Sequence, residues 1–233
     1  MTGQLPLALR WPARQRFEEF VEGGNGVALE LLRVASSTPA QPWLYLAGPV
    51  GSGRTHLLIA TCAAANAAGR SAQYLPLATL RAENAEAAIR GFGGSDLLAL
   101  DDVDAIAGNP VAEHALFDLY NRCRAENATL VFAASAPPAQ IGIGLPDLVS
   151  RLSACTQLAL KPLDESQRRT LLQERAASRG IELDDAAIDW LFAREKRDLA
   201  SLFAVLDRID SASLAAQRRV TLPFLRQLLS EPT

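Results

Sequence analysis

The stretch GPVGSGRTH, residues 48–56, decides the fold. It follows the phosphate-binding pattern G-x-x-x-x-G-K-[ST] at Gly48, Gly53 and Thr55, with Arg54 where the pattern has lysine. A short apolar run, WLYLAG, leads into it, and a segment of helical length, THLLIATCAAANAAG, extends from its end. Because strand, glycine loop and helix occur in that order, the sequence predicts a loop that binds the phosphates of a nucleotide. An ordinary glycine turn between a strand and a helix is the alternative.

The residues of this loop have distinct expected roles. Gly48, Gly51 and Gly53 would let backbone N–H groups point at an anion, and the helix start would add the positive end of its dipole. Thr55 would ligate Mg²⁺. Arg54 is a departure, since a lysine places a compact charge between the β- and γ-phosphates whereas a guanidinium is a wider planar fork. We expect Arg54 to preserve the binding of ADP or ATP better than hydrolysis.

A buried strand that ends in carboxylates should form the second half of such a site. LLALDD, residues 97–102, has four apolar residues followed by Asp101 and Asp102. Both would lie at the carboxyl end of their strand, where ligands of open α/β sheets bind. We expect Asp101 to hold the Mg²⁺ shell and Asp102 to occupy the place of a water-activating carboxylate. A charged turn after a core strand is the alternative.

The segments around these motifs predict an α/β fold. SAQYLPL, DLLALDD, ATLVFAAS and TQLALKPL have the composition of strands and alternate with helical segments at residues 79–90 and 110–126. The second helix would carry Leu116, Leu119 and Tyr120 on its buried side. Alternating strands and helices are typical of a parallel sheet that is covered by helices on both faces.

From Asp164 onward the pattern is helical only. DESQ has the form of a capping box, with Asp164 at the N-cap and Gln167 three residues later, and it opens an amphipathic helix. Further helices are predicted at residues 185–194 and 198–216 and after Pro223. We therefore predict a tail at residues 1–15, an α/β domain at residues 16–162 and a small helical domain at residues 163–233.

The composition argues against several classes of function. A net charge of −3 over 233 residues provides no basic stripe for a duplex. Neither a membrane-spanning run nor an export signal is visible, so we expect a cytoplasmic protein without membrane contact. Cys62, Cys123 and Cys155 are isolated, which predicts buried thiols rather than disulfides or zinc ligands. His56 and His114 are expected to be structural.

The motifs together resemble a known family. The loop, LLALDD, the strand TLVFAASAPP and the segment LPDLVSRLSACTQLALKPLDE are similar to the AAA+ superfamily, in the branch of the bacterial replication initiator DnaA. The phrases GRTHLL, FDLYNR, LPDLVSRL and SLFAVLDRIDSASLAAQRRVTLPF resemble the regulatory inactivators of that initiator, as does arginine in the loop. The resemblance covers almost the whole chain and implies an AAA+ P-loop domain followed by a helical lid.

The resemblance implies roles for residues outside the two motifs. Arg151, in LVSRL, matches the arginine finger that projects from one protomer to the nucleotide of its neighbour, where it stabilises transition-state charge. Ser135 stands where the initiator has an acidic first sensor. Ala200 stands where the initiator has a lid arginine, and Arg197, about one helical turn earlier, is its substitute. Both changes weaken the grip on a γ-phosphate, so the resemblance implies a structural ADP site.

The tail contains QLPLAL, which has the form of a peptide that docks on the replicative sliding clamp, the β subunit of DNA polymerase III. Gln4, Leu5, Leu7 and Leu9 would enter a groove on the clamp as an extended segment. A tail folded onto its own domain is the alternative. The initiator carries a helix-turn-helix domain after its lid, and this chain stops at Thr233, so we expect no sequence-specific DNA binding.

The resemblance implies a negative regulator of replication initiation. Tethered to the DNA-loaded clamp, it would stimulate ATP hydrolysis on DnaA and leave inactive ADP-DnaA, which prevents re-initiation. It would be an activator rather than an autonomous enzyme. Two other functions stay open: an autonomous AAA+ ATPase such as a helicase loader, and a nucleotide-independent clamp adaptor. The sequence also leaves open whether the chain forms a homo-oligomer.

Overall fold

The computed structural model describes most of the chain, namely residues 11–12, 15–39, 43–194, 199–216 and 222–230. Backbone contacts divide the chain into two compact units, with the boundary between Pro162 and Leu163. Several residues predicted to be functional lie outside the described residues: the clamp-binding set Gln4, Leu5, Leu7 and Leu9, and the lid residue Arg197.

A parallel sheet of five strands forms the centre of the first unit. The strands are β1 (Leu44–Ala47), β2 (Ala72–Pro76), β3 (Leu97–Asp101), β4 (Thr129–Ala134) and β5 (Thr156–Ala159). Their order across the sheet is β2-β3-β4-β1-β5. Every residue of β1, β3 and β4 is buried, because helices cover both faces of a parallel sheet. The predicted α/β class is confirmed.

Successive strand residues contribute to two separate cores. Leu44 and Leu46 pack with the helices on one face, and Tyr45 and Ala47 pack with those on the other. The first face is covered by α1 (Gly26–Ser37) and α2 (Arg54–Ala67), and the second by α3 (Ala82–Gly91), α4 (Pro110–Ala125) and α5 (Pro146–Ser153).

The predicted helices agree closely with those observed in this unit. Leu116, Leu119 and Tyr120 of α4 are buried as predicted. The helix predicted at residues 79–90 begins later, at Ala82, because Leu77–Thr79 form a separate 3-10 turn whose first residue is buried.

The sheet order determines where the site can form. Because β4 lies between β3 and β1, the segments that follow β1, β3 and β4 all leave the sheet at its carboxyl edge, side by side. These segments are the glycine loop, the aspartates that end β3 and the segment that contains Ser135.

The second unit is helical, with α6 (Glu165–Ala177), α7 (Asp185–Arg194), α8 (Leu199–Ala216) and α9 (Leu222–Ser230). The predicted capping box is present: Gln167 N–H donates to Asp164 Oδ1 at 2.8 Å, and Asp164 N–H donates to Gln167 Oε1 at 3.0 Å. The last helix begins at Leu222, before Pro223 rather than after it. Proline is tolerated there because the N–H groups of a first turn have no acceptor within the helix, so the N–H that proline lacks is not missed. None of the described helices combines the length and the apolar character that crossing a membrane requires.

Candidate nucleotide site and partly exposed arginine

The glycine loop between β1 and α2 is tightly folded. Gly51 and Gly53 have left-handed backbones, with φ of 83° and 89°, and α2 begins directly after Gly53. A Cβ on Gly53 would lie 2.5 Å from Phe20 Cε2, and a Cβ on Gly48 would lie 2.9 Å from the Leu160 carbonyl oxygen. Both positions therefore require glycine, because a Cβ would clash with residues that lie far away in the sequence.

The carboxylate of Asp101 connects three elements. Thr55 Oγ1 donates to Asp101 Oδ2 at 2.6 Å, and the Tyr74 hydroxyl of β2 donates to the same oxygen at 2.9 Å. Asp102 N–H donates to Asp101 Oδ1 at 3.0 Å, and only 1% of Asp101 is exposed. Burial, and then the charge of Asp101, raise the pKa of Tyr74. A threonine hydroxyl joined to a buried carboxylate is an oxygen set that suits Mg²⁺ accompanying a nucleotide.

Arg54 is engaged within the chain. Its Nη2 lies 3.2 Å from Asp102 Oδ1, and the two side chains are 11% and 32% exposed. Asp102 has a left-handed backbone, with φ of 52° and ψ of 53°, which is uncommon for a residue with a Cβ. Burial, followed by the charge of Asp101, raises the pKa of Asp102, and the charge of Arg54 opposes that shift. The pair therefore combines the loop cation with the carboxylate expected to activate water.

Two polar atoms of the loop are buried without a hydrogen-bond partner, Arg54 Nη1 and Ser52 Oγ. Unsatisfied buried groups cost about 1–3 kcal/mol each, so native structures keep few of them. A phosphate group would accept from both atoms. The residues present therefore fit a phosphate ligand, and a Mg²⁺ that accompanies it would be held through Thr55 and Asp101.

Ser135 is held by a residue that the sequence motifs did not single out. Its Oγ donates to Asp104 Oδ2 at 2.7 Å and its N–H donates to Asp104 Oδ1 at 3.3 Å. Asp104 belongs to the 3-10 turn Val103–Ile106, which directly follows the β3 aspartates. The sensor position is thus connected to the turn after β3. Its side chain, Ser135, is uncharged and already donates its hydroxyl proton to Asp104.

Arg151 lies in the last turn of α5 and is partly exposed. Leu148 and Leu152 of the same helix are fully buried and fix it to the core. The Arg151 guanidinium lies over the Tyr120 ring, 5.8 Å from its centroid, and Tyr120 packs edge-to-face on Trp43. Over the residues that the structure describes, no carboxylate forms an ion pair with Arg151. A cation–π contact at an exposed site is worth about 0.5–1 kcal/mol, so a phosphate can replace it.

The structure therefore forms two groups from the predicted residues. Arg54, Thr55, Asp101 and Asp102 form one hydrogen-bonded group at the sheet edge, and Arg151 belongs to another on α4 and α5. Sequence reasoning missed Tyr74 and Tyr120 as members of these groups, and it missed Asp104 as the partner of Ser135. No motif marks them, because the pairing of β2 with β3 and the packing of α5 on α4 bring them into place.

The remaining titratable residues singled out in the sequence have structural surroundings. His56 Nε2 lies 2.8 Å from the Arg16 carbonyl oxygen, and its ring packs edge-to-face on Phe20. His114 Nδ1 lies 2.7 Å from the carbonyl oxygen of the preceding turn of α4. All three cysteines are free and buried, as predicted. Among the described residues, no three histidine, cysteine or acidic side chains are grouped so that they could hold a metal ion.

Two family profiles match the chain and together span most of it. Residues 12–159 match the bacterial DnaA ATPase domain, and residues 164–229 match the lid domain of Hda. The division between the two matches falls close to the division between the two structural units.

Solved structures show the same architecture. Domain III of the replication initiation protein DnaA from Thermotoga maritima has a TM-score of 0.78 and 23% identity, over 95% of this chain and 98% of that one. AMPPCP-bound DnaA from Aquifex aeolicus has a TM-score of 0.70 and 24% identity, over 85% and 66%. The RuvB Holliday junction branch migration motor of Thermotoga maritima has a TM-score of 0.66 and 16% identity, over 94% and 72%. At these identities the similarity establishes the fold.

Proposed function

The chain belongs to the bacterial DnaA ATPase-domain family, in the DnaA branch of the AAA+ superfamily, and from this premise we propose that it regulates replication initiation by acting on DnaA. Bound to the DNA-loaded sliding clamp in the cytoplasm, it presents Arg151 to ATP held by DnaA. The guanidinium stabilises charge that develops on the transferred phosphoryl group. Hydrolysis leaves ADP-DnaA, which does not initiate again.

The observation that carries this proposal is the setting of Arg151. An arginine that serves another molecule's nucleotide has to be accessible and must not be held by a carboxylate of its own chain. Arg151 is partly exposed, and its described contact is with an aromatic face rather than with an acid. It also projects from a helix that two buried leucines hold in place, and fingers need such a fixed base.

We propose that the chain's own site binds ADP and hydrolyses ATP slowly or not at all. The two unpaired loop atoms, Arg54 Nη1 and Ser52 Oγ, support phosphate binding. The pairing of Arg54 with Asp102 supports weak hydrolysis, because the carboxylate that would orient water is engaged by a cation. Ser135 adds no charge to the site, and its hydroxyl is donated to Asp104. Bound ADP with Mg²⁺ would then serve as a structural element.

The proposed tether is the tail peptide, in which Gln4 and Leu5 begin the segment QLPLAL. Its support is the sequence pattern alone, an extended apolar segment that can add alternate side chains to a groove. A tether raises the effective concentration of the chain near DnaA on the same DNA, so loss of the peptide should weaken action without changing the finger.

The deciding experiment measures ATP hydrolysis by the cognate DnaA with clamp loaded on DNA. Four reactions are compared: no added chain, wild type, Arg151→Ala, and the tail variant Gln4→Ala/Leu5→Ala. We expect stimulation by wild type only. Raising the concentration of the tail variant should restore its stimulation, whereas no concentration should restore that of Arg151→Ala.

Other results identify the competing functions. If wild type leaves the DnaA rate unchanged while hydrolysing ATP by itself in an Asp101-dependent manner, the chain is an autonomous ATPase such as a helicase loader. If the chain binds the clamp and a client but neither ADP nor ATP, and Thr55→Ala changes nothing, it is a nucleotide-independent adaptor.

A further inference from the structure

A buried carboxylate of α4 binds the backbone that leads into the helix of Arg151. Glu113 is 2% exposed. Its Oε2 accepts from Gly144 N–H at 3.0 Å and from Leu145 N–H at 2.8 Å, and Leu145 directly precedes α5. Its Oε1 accepts from Gly108 N–H at 2.9 Å. In the described part of the chain no basic side chain pairs with Glu113.

A charge buried in this way is costly unless hydrogen bonds compensate it. Bonds from N–H groups to a carboxylate are roughly twice as strong as those between neutral groups, and they fix their donors in position. Glu113 thus holds two loops at once: the turn that contains Gly108, which continues from the β3 aspartates, and the turn that ends at Leu145. The carboxylate therefore joins the two loops.

The same helix also supports the side chain of the finger. Tyr120 lies seven residues after Glu113, which is about two helical turns, so both face α5 from one side of α4. Glu113 fixes the backbone that precedes α5, and the Tyr120 ring contacts the Arg151 guanidinium near the C-terminal end of α5. Helix α5 is only 8 residues long, so a shift at its start moves Arg151 with it.

We propose that Glu113 is a positioning residue for the Arg151 finger: its carboxylate fixes the entry to α5 and so determines where the guanidinium is presented. This inference rests on the proposed action of Arg151 on the nucleotide of DnaA. Arg151 would touch the reacting phosphate, and Glu113 would act only through α5. Through Gly108 the same carboxylate also holds the turn that follows Asp101 and Asp102 along the chain.

The test replaces Glu113 by glutamine, which keeps the size of the side chain but turns an NH₂ group toward N–H donors. DnaA ATP hydrolysis on clamp-loaded DNA is measured against the concentration of the added chain, so that the maximal rate is separated from the half-saturating concentration. A small displacement of a reacting group can cost about 100-fold in rate, so we expect a fall of roughly 10- to 100-fold in the maximal stimulation. The half-saturating concentration and the ADP affinity should stay at wild-type values.

Three variants make the result specific. Glu113→Asp keeps the charge on a shorter stem and should retain an intermediate stimulation. Glu126→Gln removes an exposed carboxylate just after the same helix and should behave as wild type. The double variant Glu113→Gln/Arg151→Ala should match Arg151→Ala, because a positioning residue has no effect once the finger is absent.

Each remaining outcome overturns the inference. Full stimulation by Glu113→Gln would show that α5 is positioned without it. Loss of ADP binding and of thermal stability in both Glu113→Gln and Glu113→Asp would mean that Glu113 stabilises the fold and does not specifically position Arg151. If wild type itself fails to stimulate DnaA, the proposed function fails first, and that result is distinct from stimulation by wild type and Glu113→Gln alike.

Discussion

Arg54 and Arg151 are the same residue type in opposite settings. The Arg54 side chain is 11% exposed and pairs with Asp102 at the sheet edge, at the start of α2. Arg151 is partly exposed at the end of α5 and lies over an aromatic ring, with no carboxylate partner in the described chain. The Arg54 guanidinium belongs to a polar network inside the chain, and the described contact of the Arg151 guanidinium is with an aromatic ring. Local surroundings, rather than residue type, therefore separate the two roles that we propose, phosphate binding for Arg54 and activation for Arg151.

The two settings also differ in how they are held. Around Arg54, the polar groups of Thr55, Tyr74 and Asp102 converge on Asp101, so a change at one member disturbs the others. Around Arg151, the helix is held by buried leucines and by Glu113, and the guanidinium itself adds little to that support. The loop arginine should thus be coupled to the fold of its site, whereas the finger should be separable from it.

The largest expected effect is that alanine at the two arginines impairs different properties, stimulation of DnaA in one case and ADP binding in the other. Arg151→Ala should abolish stimulation of DnaA, since a finger acting in trans contributes about 10³- to 10⁵-fold, and should leave ADP affinity unchanged. Arg54→Ala should weaken ADP binding by about 10- to 100-fold, because a hydrogen bond to a charged group contributes about 1.5–3 kcal/mol. Titration calorimetry with ADP and the clamp-dependent hydrolysis assay measure the two quantities on the same samples.

The matched control is Arg81→Ala, which removes an exposed arginine just before α3. It should change neither quantity. The contrast fails if Arg151→Ala lowers ADP affinity as much as Arg54→Ala does, because the two arginines would then serve one site.

A smaller effect is expected when the loop arginine becomes the lysine of the common pattern. Arg54→Lys replaces the planar fork by a compact charge and should free Asp102 to orient water. We expect the chain's own ATP hydrolysis to rise by about 10-fold, below the 10²–10⁴-fold of a complete general base, since Ser135 stays uncharged. Phosphate release by the isolated chain measures this, with Arg81→Lys as the matched control. An unchanged rate would mean that Asp102 is not the element that limits turnover.

The smallest expected difference is in how readily the two regions open. The alkylation rates of their buried thiols measure it. Cys62 lies on α2, the helix that Arg54 begins, and Cys155 lies four residues after Arg151 with its S–H donating to the Arg151 carbonyl at 3.6 Å. Burial raises the pKa of both thiols to about 12. At pH 8 a pKa of 12 leaves a thiolate fraction of about 10⁻⁴, so alkylation should be slow and should accelerate about tenfold per pH unit up to pH 10.

Alkylation measured by peptide mass spectrometry should be a few-fold faster at Cys155 than at Cys62, since Cys155 is 7% exposed and Cys62 is fully buried. Faster labelling of Cys62 would show that the loop region opens more readily than the finger region and would reverse the comparison.

The sequence was sufficient for most of the fold because each element carries a local signal. The glycine loop, the apolar run that ends in Asp101 and the capping box at Asp164 all form as predicted. Local signals contain no information on strand order, however. The pairing of β2 with β3, which brings Tyr74 to Asp101, depends on packing across the whole sheet.

The candidate site was only partly predictable for the same reason. The motif assigned Arg54 to the phosphates, and its second partner, Asp102, became visible only in three dimensions. Asp104, which holds Ser135, and Glu113, which holds Leu145, look like ordinary surface carboxylates in the sequence. Acidic residues are common in turns and helices, so neither composition nor periodicity distinguishes a buried acceptor of N–H groups from a solvated charge.

The contact between Phe20 and Gly53 has a mechanical consequence. Residues 16–20 directly follow the tail and touch the loop region twice, through Phe20 under Gly53 and through the Arg16 carbonyl beside His56. If the tail is the tether, tension on it would enter the domain through a segment that contacts both the nucleotide loop, through Phe20, and the core on one face of the sheet, through the buried Phe17. The segment that follows the tail thus connects it to the nucleotide loop as well as to the core.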